Sequence, residues 1–142
     1  MWVLVDTNVF LDLLLNREPS SNDVKKFFRY CQLTKTRVYV TSMSLRDIEY
    51  TIHHIYHDKL IARRAVNDVY SLCSKVIGIS ADDAIESIFS SMKDYEDSLI
   101  VEAAKREMMN LIVTNNIKDF KDCKFPVWTP KEFNEVIEKE SN

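Results

Sequence analysis

Residues 2–14 read WVLVDTNVFLDLL, and this stretch decides which fold class the chain adopts. Its first four residues are all apolar, which is typical of a short buried strand. Beyond Asp6 the apolar residues recur at helical spacing instead, at Val9, Phe10, Leu13 and Leu14. The stretch therefore predicts a strand over residues 2–5 and a helix over residues 7–16, with a carboxylate at the turn between them.

The same alternation of short apolar runs and longer helical segments continues along the chain. Four further strands are predicted at RVYVT (37–41), VIGI (76–79), LIVT (111–114) and FPVW (125–128), the last an edge strand limited by Pro126. Helices are predicted from the Ser20 to Asp23 cluster onward, over residues 43–57, 59–74 and 95–109, around Ala84 to Phe89, and from Thr129. This order implies a parallel sheet covered on both faces. The predicted fold class is therefore α/β: a three-layer α/β/α sandwich with a central, mainly parallel sheet of four to five strands.

Composition limits both the architecture and the functions open to the chain. With 142 residues, 46% of them hydrophobic, the chain is predicted to form a single domain over residues 1–142. A single glycine excludes a glycine-rich phosphate loop, and three distant cysteines argue against a disulfide framework. No signal peptide or membrane span is recognised, so a reducing cytoplasm is the expected location. Because the net charge is −3, any nucleic acid must be bound by local positive patches.

Acidic side chains follow the predicted strands where ligands bind in parallel sheets, outside the carboxyl ends of the strands. The polar residues at these positions are Asp6, Thr7 and Asn8 after the first strand, Asp47 and Glu49 after the second, Asp94, Glu96 and Asp97 ahead of the helix before the fourth, and Thr114, Asn115, Asn116 and Asp119 after the fourth. Carboxylates gathered in this way raise one another's pKa unless a cation lies among them. Oxygen ligands suit Mg²⁺ or Mn²⁺, whereas few histidines and no suitable cysteines point away from zinc.

Three of these segments resemble motifs of a known family. LVDTNVFLDLL (4–14), EDSLIVEAA (96–104) and IVTNNIKDF (112–120) are similar to the opening, third acidic and closing motifs of the PIN domain nucleases. The resemblance runs in order over residues 2–133. Within the family it is strongest to the VapC-like toxin ribonucleases of toxin–antitoxin pairs, which also consist of a bare PIN domain.

The resemblance implies a role for each matching residue. The residues implied as metal ligands and catalytic acids are Asp6, Asp47, Asp97 and Asp119. Asn8 and Asn116 would hold these acids in place by hydrogen bonds. Thr7 would cap the first helix or donate to the cluster, and Asp12 is expected to be a solvated helix residue.

The second acid has two candidates, Asp47 and Glu49. Because they are two residues apart, they lie about 200° apart around a helix and cannot both face one metal ion. The apolar stripe through Leu45 and Ile48 lies closer in angle to Glu49. Asp47 is preferred because it is nearer the helix start, and because the family places its acid directly before an apolar residue.

The resemblance also implies the activity and its partners. One or two Mg²⁺ or Mn²⁺ ions would lower the pKa of a bound water and neutralise charge on a phosphodiester. Attack in line on phosphorus would leave a 5′-phosphate and a 3′-hydroxyl, with RNA favoured over DNA on family grounds alone. A small antitoxin would lie across the acidic groove, and the toxin would pair as a homodimer.

Other functions fit parts of the pattern. A PIN-like module whose acids have drifted could serve only to bind a protein partner. A phosphoaspartate enzyme with Asp6 as nucleophile is disfavoured, because phosphatases of the haloacid dehalogenase type have Asp where this chain has Asn8. Taken singly, Asp6 and the acids at 94–97 can also be helix caps.

Three further groups of side chains have weaker functional interpretations. His53 and His57 have the spacing of a zinc pair, but without a third ligand they indicate a solvated or partner-facing helix face. Two basic groups could contact phosphates, although exposed helix faces are usually charged in any case: Lys25, Lys26 and Arg29, and Lys59, Arg63 and Arg64.

Overall fold

The computed structural model describes all residues, 1–142, and contains five strands and seven α-helices. In chain order the elements are β1 (Trp2–Val5), α1 (Thr7–Leu14), α2 (Ser21–Leu33), β2 (Arg37–Thr41), α3 (Ser42–Tyr56), α4 (Lys59–Leu72), β3 (Lys75–Ile77), α5 (Ala81–Ile88), α6 (Tyr95–Arg106), β4 (Leu111–Val113), a 3₁₀ turn (Ile117–Phe120), β5 (Val127–Trp128) and α7 (Pro130–Glu140). None of the helices has the length and apolar character needed to cross a bilayer.

The five strands form one sheet in the order β3-β2-β1-β4-β5, and every neighbouring pair is parallel. The predicted fold class is therefore confirmed. The outer strands are shorter than expected, since β3 ends at Ile77 and β5 contains only two residues. Pro126 has no N–H to donate to the ladder, and only its carbonyl pairs, accepting from Ile112.

Alternation along the strands divides the core between the two faces of the sheet. Val3 and Val5 pack in the larger apolar cluster with residues of α1, α2, α3, α4 and α7. Leu4, between them, points to the opposite face and packs with α6 and Phe120 in the smaller cluster. Because successive side chains of a strand point to opposite faces, the short run WVLV is enough to produce three layers.

The strand order places the ends of β1 and β4 side by side. From β1 the chain moves outward through β2 and β3, then crosses back to add β4 on the other side of β1. Val5 is in register with Val113, and the backbone N–H of Asp6 donates to the Val113 carbonyl at 2.9 Å. This reversal of direction is the position where ligands bind in open α/β sheets.

Helix capping fixes three helix N-termini at the same edge of the sheet. Asp6 caps α1, Thr41 caps α3 and Asp94 caps α6, each through a side-chain oxygen that accepts a backbone N–H. Of the acids for which the sequence allowed helix capping as an alternative role, Asp6 and Asp94 do cap helices. The positive ends of these helices face the acids and partly offset their charge.

A charged pair joins α5 to α6 on the face of the sheet that carries the smaller apolar cluster. Asp83 is only 3% exposed and accepts hydrogen bonds from the Arg106 guanidinium at 3.1 and 2.9 Å and from the Ser80 N–H at 2.9 Å. Arg106 also donates to the Gly78 carbonyl. Burial acts to raise the pKa of Asp83, but the Arg106 and Ser80 contacts hold it below its ordinary value of 3.8.

Replacing Arg106 by Ala should destabilise the fold, because the buried Asp83 carboxylate loses its charged donor. We expect the free energy of unfolding, measured by urea denaturation at neutral pH, to fall by about 1 to 3 kcal/mol. The pair stabilises the protein above pH 3.8, and this stabilisation is lost as the pH falls through the lowered pKa of Asp83. The matched control is Lys105→Ala, which breaks only an exposed pair with Glu102; an equal loss in both variants would contradict this interpretation.

Candidate functional site

Asp6 lies at the centre of the carboxyl edge and is held by three hydrogen bonds. Its Oδ1 accepts the Thr7 backbone N–H at 2.9 Å, and its Oδ2 accepts the Thr114 hydroxyl at 2.9 Å and the Asn8 side-chain amide at 3.2 Å. The residue is 9% exposed. Burial raises the pKa of Asp6 and the charge of Asp119 adds to this, while the hydrogen bonds from Thr114, Thr7 and Asn8 oppose it; the net direction is upward.

Asp97 faces Asp6 from the first turn of α6. Its backbone N–H donates to the Asp94 cap at 3.0 Å, which fixes the start of the helix. Burial raises the pKa of Asp97, and the negative charges of Asp6, Asp94, Asp119 and Glu96 raise it further, to about 7. Both causes disfavour the charged form of Asp97, and no lysine or arginine forms an ion pair with it.

The structure brings Asp47 rather than Glu49 to the other acids. Burial raises the pKa of Glu96, and a hydrogen bond and the charge of Asp47, which lies beside it, raise it further. The charge of Asp6 acts on the same carboxyl. Asp47 also lies 3.4 Å from the exposed Arg46 guanidinium, whereas Glu49 makes no hydrogen bond or ion pair with these residues. This arrangement favours Asp47 over Glu49 as the second acid.

Asp119 reaches the cluster from the 3₁₀ turn after β4. It is exposed, and its backbone N–H donates to the Asn116 carbonyl at 3.0 Å, within the turn. Its charge raises the pKa of both Asp6 and Asp97, which places it close to the two. All four acids predicted from the sequence therefore lie at one edge of the sheet.

The supporting residues differ in detail from the sequence-based expectation. Asn8 donates to Asp6, and its carbonyl oxygen accepts the Asn115 backbone N–H at 3.1 Å. The expected role of the Asn116 side chain is wrong, since it makes no hydrogen bond; only the Asn116 backbone N–H contributes, donating to Thr114 Oγ1 at 3.1 Å. Asn115 is the residue that joins the loop after β4 to α1, through Asn8 and Asp12. The Thr7 hydroxyl donates to Ser44 on α3, while the Thr7 backbone N–H donates to Asp6.

Asp12 is likewise not a solvated helix residue. Its carboxylate accepts the Asn115 side-chain amide and the Ser20 hydroxyl and pairs with Arg17 at 2.9 Å. These contacts extend the network from Asp6 through Asn8 and Asn115 to the end of α1. Asp12 therefore fixes the loop after β4 and makes no contact with the acids themselves.

The acids fit a hard divalent cation by their donor chemistry. No three Asp, Glu, His or Cys side chains converge closely enough to supply a complete ligand set. Mg²⁺ does not need such a set, because it commonly binds through one or two carboxylates together with water and substrate phosphates. No lysine or arginine forms an ion pair with Asp6, Asp97 or Asp119. Their uncompensated negative charge is therefore suited to Mg²⁺ or Mn²⁺.

The other predicted groups lie elsewhere. His53 and His57 are in the last turn and at the end of α3, and no metal-binding group forms around them. Arg63 and Arg64 border a mostly apolar cavity of about 500 Å³ between α3 and α4. The acids are thus separate from the largest cavity of the molecule.

A comparison with models of protein families identifies the family to which this fold and its acidic edge belong. A family model described as a PIN domain matches residues 2–125. The chain belongs to the PIN domain family. The resemblance found in the three sequence motifs is therefore confirmed. No curated protein matches this PIN domain.

Solved structures similar to this PIN domain share its fold at low sequence identity. A toxin–antitoxin complex from Klebsiella pneumoniae has a TM-score of 0.65 at 21% identity, covering 90% of this chain and 97% of the other. VapBC2 from Rickettsia felis, bound to a DNA fragment from its promoter, has a TM-score of 0.64 at 18% identity, covering 91% and 98%. The VapC20 toxin of Mycobacterium tuberculosis, which cleaves the sarcin–ricin loop, has a TM-score of 0.60 at 12% identity, covering 78% and 86%.

Replacing Asp97 by Asn should stabilise the metal-free PIN domain at neutral and alkaline pH. The pKa of Asp97 is raised from 3.8 to about 7 in the folded protein. The free energy of unfolding therefore falls as the pH rises from 3.8 to about 7, and this effect of Asp97 is constant at higher pH. The variant has no such loss. We expect the melting temperature in EDTA to be similar for the two proteins near the ordinary carboxyl pKa and higher for the variant above about pH 7.

Asp68→Asn serves as the matched control for this measurement, since Asp68 is an exposed aspartate on α4 outside the cluster. Its melting temperature should follow that of the unmodified protein across the pH range. A stability difference between Asp97→Asn and the unmodified protein that does not change with pH would contradict the assigned pKa.

Proposed function

We propose that this PIN domain is a divalent-metal-dependent ribonuclease that hydrolyses phosphodiester bonds, and that it is the toxin of a toxin–antitoxin pair. The observation that carries the proposal is the group of four carboxylates at one edge of the sheet, of which Asp6, Asp97 and Asp119 form no ion pair with a lysine or arginine. Burial, together with the neighbouring negative charges, raises the pKa of Asp97 to about 7. Family membership supports the same chemistry. The proposal treats residues 1–142 as one nuclease domain.

In this proposal the four acids are the ligands of one or two Mg²⁺ or Mn²⁺ ions. Asp6, fixed by Thr7, Asn8 and Thr114, is the most rigid ligand. Asp97, Asp47 and Asp119 are the other ligands. When bound, the cation lowers the pKa of water for attack on phosphorus and neutralises charge on the phosphodiester.

Asp97 also makes binding of the cation depend on pH. Its carboxyl is protonated below its pKa of about 7, and a protonated carboxyl is a poor ligand for a metal ion. Cation affinity is therefore expected to weaken as the pH falls below neutrality. Asp94, which caps α6, accepts the backbone N–H of Asp97 and so fixes its position at the start of the helix.

The toxin assignment rests on the proteins that share the fold. One is described as a toxin–antitoxin complex and another as a toxin that cleaves the sarcin–ricin loop. By analogy, we propose RNA as the substrate, a small antitoxin that covers the acidic edge, a homodimer as the assembled state and the cytoplasm as the location. A module that only binds protein is the alternative, and the retained acids disfavour it.

Cleavage of a fluorophore–quencher RNA by the purified chain tests the proposal. With Mg²⁺ or Mn²⁺ we expect cleavage that EDTA abolishes. Asp6→Asn and Asp97→Asn should each reduce the rate by about two orders of magnitude, because each removes a charged ligand. Asp68→Asn is the matched control and should keep full activity.

Cleavage that persists in Asp6→Asn and Asp97→Asn would contradict the proposal and indicate a contaminating ribonuclease. If several RNAs are not cleaved and calorimetry detects no Mn²⁺ binding, the protein-binding module replaces the nuclease as the better account.

A further inference from the structure

A second charged feature adjoins the acids, and the proposed chemistry does not use it. A cleft of about 270 Å³ opens beside Asp94 and Asp119, and no hydrophobic residue lines it. Three lysines and three aspartates form its walls: Lys93, Lys118, Lys121, Asp94, Asp119 and Asp122. Asp119 is one of the four acids, and Asp94 accepts the backbone N–H of Asp97 at 3.0 Å, so the cleft adjoins the acid cluster. We call its three lysines the lysine rim.

The lysine rim is built from two segments that are distant in sequence. Lys93 precedes α6, whereas Lys118 and Lys121 lie in and directly after the 3₁₀ turn that follows β4. The same two segments supply Asp97 and Asp119. The fold that brings these acids together therefore also brings the three ammonium groups to one side of them.

The lysine rim keeps its positive charge available despite the aspartates around it. All three lysines are exposed, and none forms an ion pair, although three carboxylates line the same cleft. Asp94 instead accepts the backbone N–H of Asp97. Asp119 lies close enough to Asp97 for its charge to help raise the pKa of that residue. A cation bound by the acids would further reduce the negative charge next to the lysines.

The basic groups predicted from the sequence are less suited to phosphate. Lys26 is paired with Glu138, and Lys25 donates to the Asn16 side chain. Arg63 and Arg64 border an apolar cavity rather than a polar one. The lysine rim, in contrast to these groups, lies in a cleft lined by charged residues that adjoins the acids.

We propose that Lys93, Lys118 and Lys121 bind the phosphate backbone of single-stranded RNA next to the bond that is cut. This inference rests on the proposed nuclease function and specifies where the substrate lies. Lysine contacts a phosphate as a point charge and reads no base. The lysine rim therefore contributes affinity and register, and sequence preference must come from other residues.

Binding of a short fluorescein-labelled single-stranded RNA, followed by anisotropy in EDTA, tests the lysine rim. The test protein carries Lys93→Gln, Lys118→Gln and Lys121→Gln. Its matched control carries Lys35→Gln, Lys75→Gln and Lys139→Gln, three exposed lysines near the opposite edge of the sheet, and has the same net charge. Melting temperatures of both proteins establish that they remain folded.

We expect the rim variant to bind RNA about tenfold more weakly at moderate salt, and the control variant to bind like the unmodified protein. The slope of log Kd against log salt should fall by about 0.7 for each lost contact, hence by about 2 in total. Replacing the same three lysines by arginine should restore the affinity, because charge is what binds the phosphate. In cleavage, KM should rise while kcat is unchanged, since the acids are intact.

If the rim and control variants bind RNA with the same affinity and the same dependence on salt, the lysine rim does not bind the RNA backbone. This conclusion holds even where the unmodified protein cleaves RNA. If the unmodified protein neither binds nor cleaves RNA, the nuclease proposal and the lysine rim both fail. The two failures are therefore distinguishable within one set of proteins.

Discussion

Electrostatic repulsion among carboxylates at the carboxyl edge of the sheet is the constraint on which the candidate site depends. The charge of Asp119 helps to raise the pKa of Asp6, and the charges of Asp6 and Asp119 add to the burial that raises the pKa of Asp97 to about 7. Water screens such repulsion poorly once the groups are partly buried. Without an offsetting function, the protein would gain stability at neutral and alkaline pH by replacing Asp97 with an amide.

Packing of the apolar core, away from the site, offsets the destabilising effect of the acids. Val3, Val5 and Val113 are fully or almost fully buried, and their strands pair in register up to the residue before Asp6 and Thr114. Parallel pairing therefore fixes where the segments after β1 and β4 begin, independently of the polar contacts beyond them. Hydrogen bonds from Thr114 and Asn8 then determine which way the Asp6 carboxylate points. Core packing positions the site, and the polar network orients it.

The sequence predicts the sheet and the four acids because both leave a local signal. The run WVLV, followed by Asp6 and a change to helical spacing, identifies a strand, its end and the next helix in one stretch. Parallel pairing then implies that residues after different strands meet. The preference for Asp47 over Glu49 rests on its position nearer the helix start and on the family resemblance, and the proximity of Asp47 to Glu96 agrees with that choice.

The sequence does not predict side-chain contacts between segments that are distant in the chain, because such contacts have no periodic pattern. Asn115 and Asn116 are adjacent and identical, and only the backbone of the loop decides that Asn115 turns toward Asp12. The joining of Asp83 to Arg106 across 23 positions is equally hidden. The lysine rim is found only once the 3₁₀ turn is placed beside the start of α6.

The central claim is that the carboxylates of Asp6 and Asp97 together bind a divalent cation. Anomalous diffraction from crystals of the full chain soaked in Mn²⁺ tests it most directly, because the signal identifies the ion and its ligands without reference to activity. We expect an anomalous peak between these two carboxylates that is absent from Asp6→Asn crystals. A soaked crystal with no peak there, or with the same peak in the variant, would contradict it.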